Sequence, residues 1–147
     1  MSDSVQKLAI ARLMTNLEAL KASSVVRDVK RGRARFQATQ FPSLQIVIGD
    51  DVPAEEPEDT RGYTLNFPVE IDIHVADYID RAGALDDLIP QVQVAIEADL
   101  TLNNLVTWIK YRGNQLFVNA ENSPSGGMTL FYEVQYRRER GAPQTGY

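Results

Sequence analysis

Tyr63-Thr64-Leu65-Asn66-Phe67-Pro68-Val69-Glu70-Ile71-Asp72-Ile73-His74-Val75 alternates without a break, and every odd position is apolar. Successive side chains of an extended strand point to opposite sides. Tyr63, Leu65, Phe67, Val69, Ile71, Ile73 and Val75 therefore share one face, and Thr64, Asn66, Pro68, Glu70, Asp72 and His74 the other. A helix would scatter the apolar set around its axis. A strand this long with one oily face belongs to a largely antiparallel sheet covered on that side. Pro68 has no N–H to give to a ladder, which predicts an edge position or a bulge.

Upstream, Val5, Leu8, Ala9, Leu13, Leu17 and Leu20 recur three and four apart, the stripe of an amphipathic helix. Ser2 or Ser4 is placed to cap its start, and Ser23-Ser24 to end it. Val25 to Val29 reads as a short strand, and Leu44 to Ile48, introduced by Phe41-Pro42, as a second. Asp50 to Arg61 holds six acidic residues and two prolines, the composition of an exposed, mobile loop.

Downstream, Leu85, Leu88, Ile89, Val92, Ile96 and Leu100 mark a helix over 84–100, kinked or restarted at Pro90. Strands are expected over 105–111, 115–119 and 128–136. Tyr111-Arg112-Gly113-Asn114 would turn a hairpin between the first two, and 122–127 reads as a loop. With no regular βαβ repeat, the order gives an α+β fold: a mainly antiparallel sheet with two helices packed on one face. One domain is expected over 1–140, and 141–147 reads as a flexible C-terminal tail.

The 147 residues are enough for one continuous core, and 44% hydrophobic with 24% charged residues is ordinary for a folded chain. No apolar run reaches the roughly 20 residues that span a bilayer, and 1–4 lacks the features of a signal peptide. The absence of cysteine removes disulfides, thiolate metal cages and thiol nucleophiles from consideration. Assembly in a cytoplasm is expected. A net charge of −5 weighs against a protein that grips nucleic acid.

Catalytic patterns are sparse. Glu70, Asp72 and His74 share the polar face of the long strand and are competent metal ligands. A solvated face explains the same alternation without a metal. A Ser-His-Asp arrangement needs a serine brought to His74, and the chain has no GxSxG elbow, phosphate loop or GxGxxG turn. No catalytic, cofactor-binding or metal residue is assigned, no cofactor is expected, and no residue pattern proposes an enzyme. Trp108, Phe67 and Phe131 are expected in the core or at a subunit contact.

Charge is more informative. Arg27, Lys30, Arg31, Arg33 and Arg35 form one basic segment, and Arg137, Arg138 and Arg140 a second. Against them stand Asp50, Asp51, Glu55, Glu56, Glu58 and Asp59. Solvated surfaces are the ordinary reading of charge runs. The sharper one pairs the acidic loop of one subunit with a neighbour's basic segment, and such head-to-tail contacts close into rings. DNA binding by Arg31 to Arg35 is a third reading, but the segment lacks the interleaved aromatics of a base-stacking platform.

The order of elements carries a resemblance. It runs from the N-terminal helix through Phe41-Pro42-Ser43-Leu44-Gln45-Ile46-Val47 and the acidic loop to the strand ending Glu70-Ile71-Asp72-Ile73-His74-Val75. The helix over 85–100 and a last strand ending Tyr132-Glu133-Val134-Gln135-Tyr136 follow. Over residues 5 to 137 the chain resembles the tail-terminator proteins of long-tailed bacteriophages, the family of the lambda-type minor tail protein U. The basic stretch 30–35 and the tail 141–147 fall outside that likeness. It implies a non-enzymatic virion protein, assembled in the host cytoplasm at the head-proximal end of the tail. Such a protein forms a homo-oligomer, a hexameric ring. The ring caps the tail tube protein, stops its polymerisation and offers a surface to the head–tail connector protein. DNA passes through without specific recognition, and no membrane is involved. Another ring of the neck or baseplate is the alternative within this class. A small metal-dependent enzyme using Glu70, Asp72 and His74 is the alternative outside it.

Overall fold

The computed structural model describes residues 4–32, 42–53, 62–76, 81–118 and 125–139. Helix α1 spans Val5–Ala22. Its start is fixed by Ser4, whose hydroxyl accepts the Lys7 N–H at 3.1 Å and so satisfies an amide the first turn would leave orphaned. Val5, Ala9, Leu13 and Leu17 face inward together with Ile10, while Leu8 and Leu20 sit at the margin. The Ser23 N–H closes the last turn on the Ala19 carbonyl.

Strands β1 (Asp28–Arg31), β2 (Ser43–Ile48), β3 (Val52–Pro53), β4 (Gly62–Ala76), β5 (Trp108–Val118) and β6 (Ser125–Glu139) form one six-stranded sheet. Its path is β1-β2-β4-β6-β5, with β3 also on β4. Only β1 and β2 run parallel; all other pairs are antiparallel. The β4–β6 ladder is the longest, from Gly62 opposite Glu139 to Ala76 opposite Ser125. The odd residues of β4 meet the even residues of β6, placing Phe67 against Val134 and Ile71 against Leu130. Leu44 and Ile46 of β2 extend the same face. Helix α1 and helix α2 (Arg81–Glu97) cover it, and Leu13, Leu17, Val92 and Ile96 join Phe67, Ile71, Ile73 and Leu130 in one core. This is the α+β architecture expected from the pattern of elements.

Several local expectations are corrected. Pro68 is on the central strand, opposite Glu133 of β6, and not at an edge. Its carbonyl accepts the Gly49 N–H at 2.9 Å, just past the end of β2 and before β3 joins at Asn66. The proline nitrogen points to that same gap, so no ladder partner loses a donor. Val52–Pro53, read as part of a mobile loop, is a strand on β4, and 54–61 lies outside the described residues. No hairpin turns at 111–114; β5 runs straight through, absorbing the irregularity as a bulge between Tyr111 and Gly113, where Gly113 has φ +122°. Ser125-Gly126-Gly127 belongs to β6, not to a loop. Positions 140 and 141–147, with the domain boundary and tail expected there, lie outside the described residues.

The buried stripe of α2 is also revised. The helix stops at Glu97, leaving Leu100 46% exposed, and Leu102 enters the core at 0% instead. Leu102, Asn103 and Asn104 form a left-handed turn with φ of 48°, 58° and 67°. A leucine there costs about 1–2 kcal/mol, which burial of the side chain at about 1.5–3 kcal/mol offsets. Asp99 holds the turn in place. Its Oδ1 accepts the Asn103 N–H at 3.0 Å. Its Oδ2 accepts Arg12 Nε at 2.7 Å and Asn16 Nδ2 at 2.9 Å from α1. Burial alone raises the Asp99 pKa, but these bonds and the Arg12 charge outweigh it and hold the carboxyl below its ordinary value.

Chemical denaturation of single variants checks this arrangement. Ile71→Ala and Leu102→Ala should each cost about 2–5 kcal/mol, because each empties a fully buried site. Leu100→Ala should stay within about 0.5 kcal/mol; equal losses at 100 and 102 would mean the helix carries its stripe one turn further.

Candidate functional site

The polar face of β4 is built by rows that cross the sheet. Ser43, His74, Gly127 and Phe117 occupy successive strands of one row, and Gln45, Asp72, Thr129 and Gln115 the next. Strand alternation puts all of these side chains opposite the helices. The expected solvated face forms only in part: Pro68 is exposed and Thr64, Asn66, Glu70 and His74 are half-buried, while Asp72 and its β2 neighbours are buried. Ser43 is 0%, Gln45 3% and Asp72 6% exposed.

The hydrogen bonds explain how polar groups tolerate that burial. His74 Nε2 and Gln45 Oε1 lie 3.0 Å apart, so the ring donates from Nε2 to the amide oxygen. The Thr129 hydroxyl donates to Asp72 Oδ1 at 2.6 Å. Phe117 stands edge-on to the His74 ring with centroids 5.1 Å apart. Between them in the row lies Gly127, where any Cβ would overlap the Ile73 carbonyl and press on Phe117. Burial lowers the His74 pKa, and the Asp72 charge opposes that only in part.

The three groups of a nucleophilic triad are neighbours, since Ser43 sits directly across from His74 and Asp72 is two residues along. Their bonding is not that of a triad. The Ser43 hydroxyl has no hydrogen-bond partner and no exposure, His74 is turned to Gln45, and Asp72 is turned to Thr129. Among the described residues no three His, Asp or Glu side chains gather as metal ligands. Two surface hollows, of about 400 and 640 Å³, lie elsewhere, between the helices, along Leu20, Pro90, Val94 and Ala95 and along Arg12, Asn16, Ala98 and Asp99.

The basic segment runs alongside β2, from Arg27 at its start to Arg31 opposite Ile46, and the acidic one follows its end. Arg27 and Arg31 are exposed beside and on β1, the edge strand, with the Arg27 N–H on the Pro42 carbonyl at the start of β2. Lys30 lies 3.8 Å from Asp28. Asp50 and Asp51 are exposed just past Ile48, the last residue of β2. Asp51 accepts the Tyr136 hydroxyl at 2.7 Å, and burial followed by that carboxylate raises the Tyr136 pKa. Arg33, Arg35, Glu55, Glu56, Glu58 and Asp59 lie outside the described residues.

One surface was not anticipated. Trp108, Lys110 and Arg112 line the face of β5 away from the helices, with Lys110 Nζ 4.4 Å above the indole and Arg112 paired to Glu133 at 2.6 Å. On its helix side β5 exposes Tyr111 and Leu116, the latter 67%. Splitting the strand at Arg112-Gly113 hid both alternations.

No family model matches the sequence, and no characterised protein matches it. Among solved structures, the chain is similar to one from the virion of a native gene transfer agent particle. That likeness covers 92% of each chain at 10% identity, with a TM-score of 0.46. A second solved chain is similar over 88% of this one and 94% of its own length, at 18% identity and a TM-score of 0.41.

Because the folded His74 pKa lies below the ordinary imidazole value of 6.5, the unfolded chain takes up a proton first as pH falls. Stability should decline as pH drops below about 6.5, over the interval down to the lowered folded pKa. The effect of Asp99 enters only in the more acidic carboxylate range, where its lowered pKa costs stability as it protonates. Urea midpoints against pH should show the first decline in the parent and a flatter curve in His74→Gln; identical curves would place the imidazole in solvent.

Proposed function

We propose that this chain is a structural protein of a phage-like virion, a ring-forming tail terminator that ends growth of the tail tube and presents a joining surface to the head. The observation that carries the reading is the realised order of elements. A capped helix is followed by a strand opening at Ser43, then a 15-residue strand, a second helix and a closing 15-residue strand that pairs back on the first. That is the order on which the resemblance to tail terminators rests.

Two further features favour it. Buried Asp72 and half-buried His74 are tied by hydrogen bonds to Thr129 of β6 and Gln45 of β2, which suits a scaffold better than a reaction site. Exposed cations on the β1 edge and exposed carboxylates past the end of β2 offer opposite charges for head-to-tail contacts, which close into rings. A chain of net charge −5 suits passage of DNA better than its retention, since phosphates gain nothing from carboxylates.

Particles assembled without this protein provide the test. Tail tubes of uncontrolled length, restored to a uniform length by adding the purified chain, are expected; tubes of normal length joined to heads without it would overturn the reading. Reversing Arg31 and Arg33 to glutamate should block completion of tails, and a second reversal of Glu55 and Glu56 to lysine should partly restore it. The restored contact should weaken at high salt, because exposed charges are screened beyond about 8–10 Å at physiological strength. Unchanged tails in the Arg31 and Arg33 variant would remove the basic segment from the subunit contact.

A further inference from the structure

Two patches of opposite charge lie at opposite ends of the same rows of the sheet. One row crosses β3, β4, β6 and β5 through Val52, Asn66, Gln135 and Trp108, and the next runs from Pro68 through Glu133 to Lys110. Strand alternation puts these side chains on the face away from the helices. At one end Val52 is 57% exposed, directly after the exposed carboxylates Asp50 and Asp51. At the other, half-buried Trp108 stands beside exposed Lys110 and Arg112. Lys110 Nζ and the Arg112 guanidinium lie 4.4 and 5.9 Å from the indole centre, so both charges gather at one apolar surface. Glu133 answers one of the two, pairing with Arg112 at 2.6 Å. That pair is solvent-exposed and therefore weak enough to admit a second carboxylate.

We propose that the shoulder 50–52 of one subunit docks on the Trp108, Lys110 and Arg112 face of a second copy, with Val52 against the indole and the carboxylates against the two cations. The two patches match in charge and in apolar character alike: valine beside carboxylates, tryptophan beside an ammonium and a guanidinium. They cannot meet within one subunit, because three strand spacings of about 4.8 Å separate them. Different patches on opposite sides of a subunit make a heterologous contact, which repeats around a ring instead of ending at two copies. Exposed ion pairs alone are worth little, so the covering of Val52 and the indole supplies the attraction and the charges select the register. The inference rests on the ring reading above and names a second seat for it on β5, apart from the contact of Glu55 and Glu56 with the basic segment.

A chain without cysteine lends itself to disulfide trapping. Val52→Cys and Lys110→Cys are introduced together in the full chain, and both sites are exposed, so folding is retained. Within a subunit they lie about 14 Å apart across the sheet, well past the roughly 7 Å between Cα atoms that a disulfide tolerates. Any bond between them therefore joins two copies. Oxidation of the concentrated protein and of assembled particles should give a ladder of covalent multimers that runs beyond the dimer on a non-reducing gel, and neither single variant should give it. Adding Arg112→Glu should cut the trapped product at least about tenfold, and Asp50→Lys in the same chain should restore part of it. No ladder from either sample overturns the contact, as does a ladder indifferent to Arg112→Glu, and a product that stops at the dimer overturns its head-to-tail form. Tubes that need the protein for their length but show no ladder would remove this seat and leave the tail terminator standing. A ladder in the purified chain, with tubes of normal length in the absence of the protein, would do the reverse.

Discussion

Pairing of β4 with β6 over 15 residues each is the constraint on which the rest of the molecule depends. Every residue of that ladder has its face set by its position, and a slip of one would turn Phe67, Val69, Ile71 and Ile73 out of the core together. Both helices need that face as their floor. The two remaining edges of the paired strands are divided among the other elements: β2 and β3 share one side of β4, and β5 takes the far side of β6. Pro68 shows how tightly this is specified, since a residue without an N–H is accepted in a central strand only at the gap between β2 and β3.

Much of this was legible because it is periodic. Alternation over 63–75 identified β4, the three-and-four spacing identified both helices, and Ser4 was already a candidate cap. Where local residue chemistry misleads, the physical cause is shared: the neighbouring strand decides what the segment becomes. Arg112-Gly113-Asn114 has the composition of a turn, but pairing with β6 turns it into a bulge within a straight strand. Ser125-Gly126-Gly127 resembles a loop until Met128 onward draws it into the same ladder. Leu100 fits the helical stripe, but the helix ends three residues earlier, and the Asp99 clamp swings Leu102 inward through a turn that leucine would not choose alone.

The polar face was only half legible. That Glu70, Asp72 and His74 share it follows from alternation; that Ser43, Gln45 and Thr129 meet them follows from register between distant segments, which no local pattern encodes. The result changes the meaning of the face. Part of that polar face meets water, and part forms a hydrogen-bonded layer in which Thr129 satisfies Asp72 and Gln45 satisfies His74. Of the charged segments flanking β2, Arg27, Lys30, Arg31, Asp50 and Asp51 are placed by the fold, and none of them enters this layer.

The central ladder also dictates when the fold can form. Its two strands are separated in the chain by α2 and β5, so Gly62 waits for Glu139, and β2, β3 and β4 have no complete floor until β6 has been synthesised. Contacts of such long range close slowly, because loop entropy is lost before any of the ladder is gained. During synthesis the apolar side of β4 is thus a bare strip awaiting its partner, and the nascent chain, not the finished subunit, is where this protein is most exposed to misassociation.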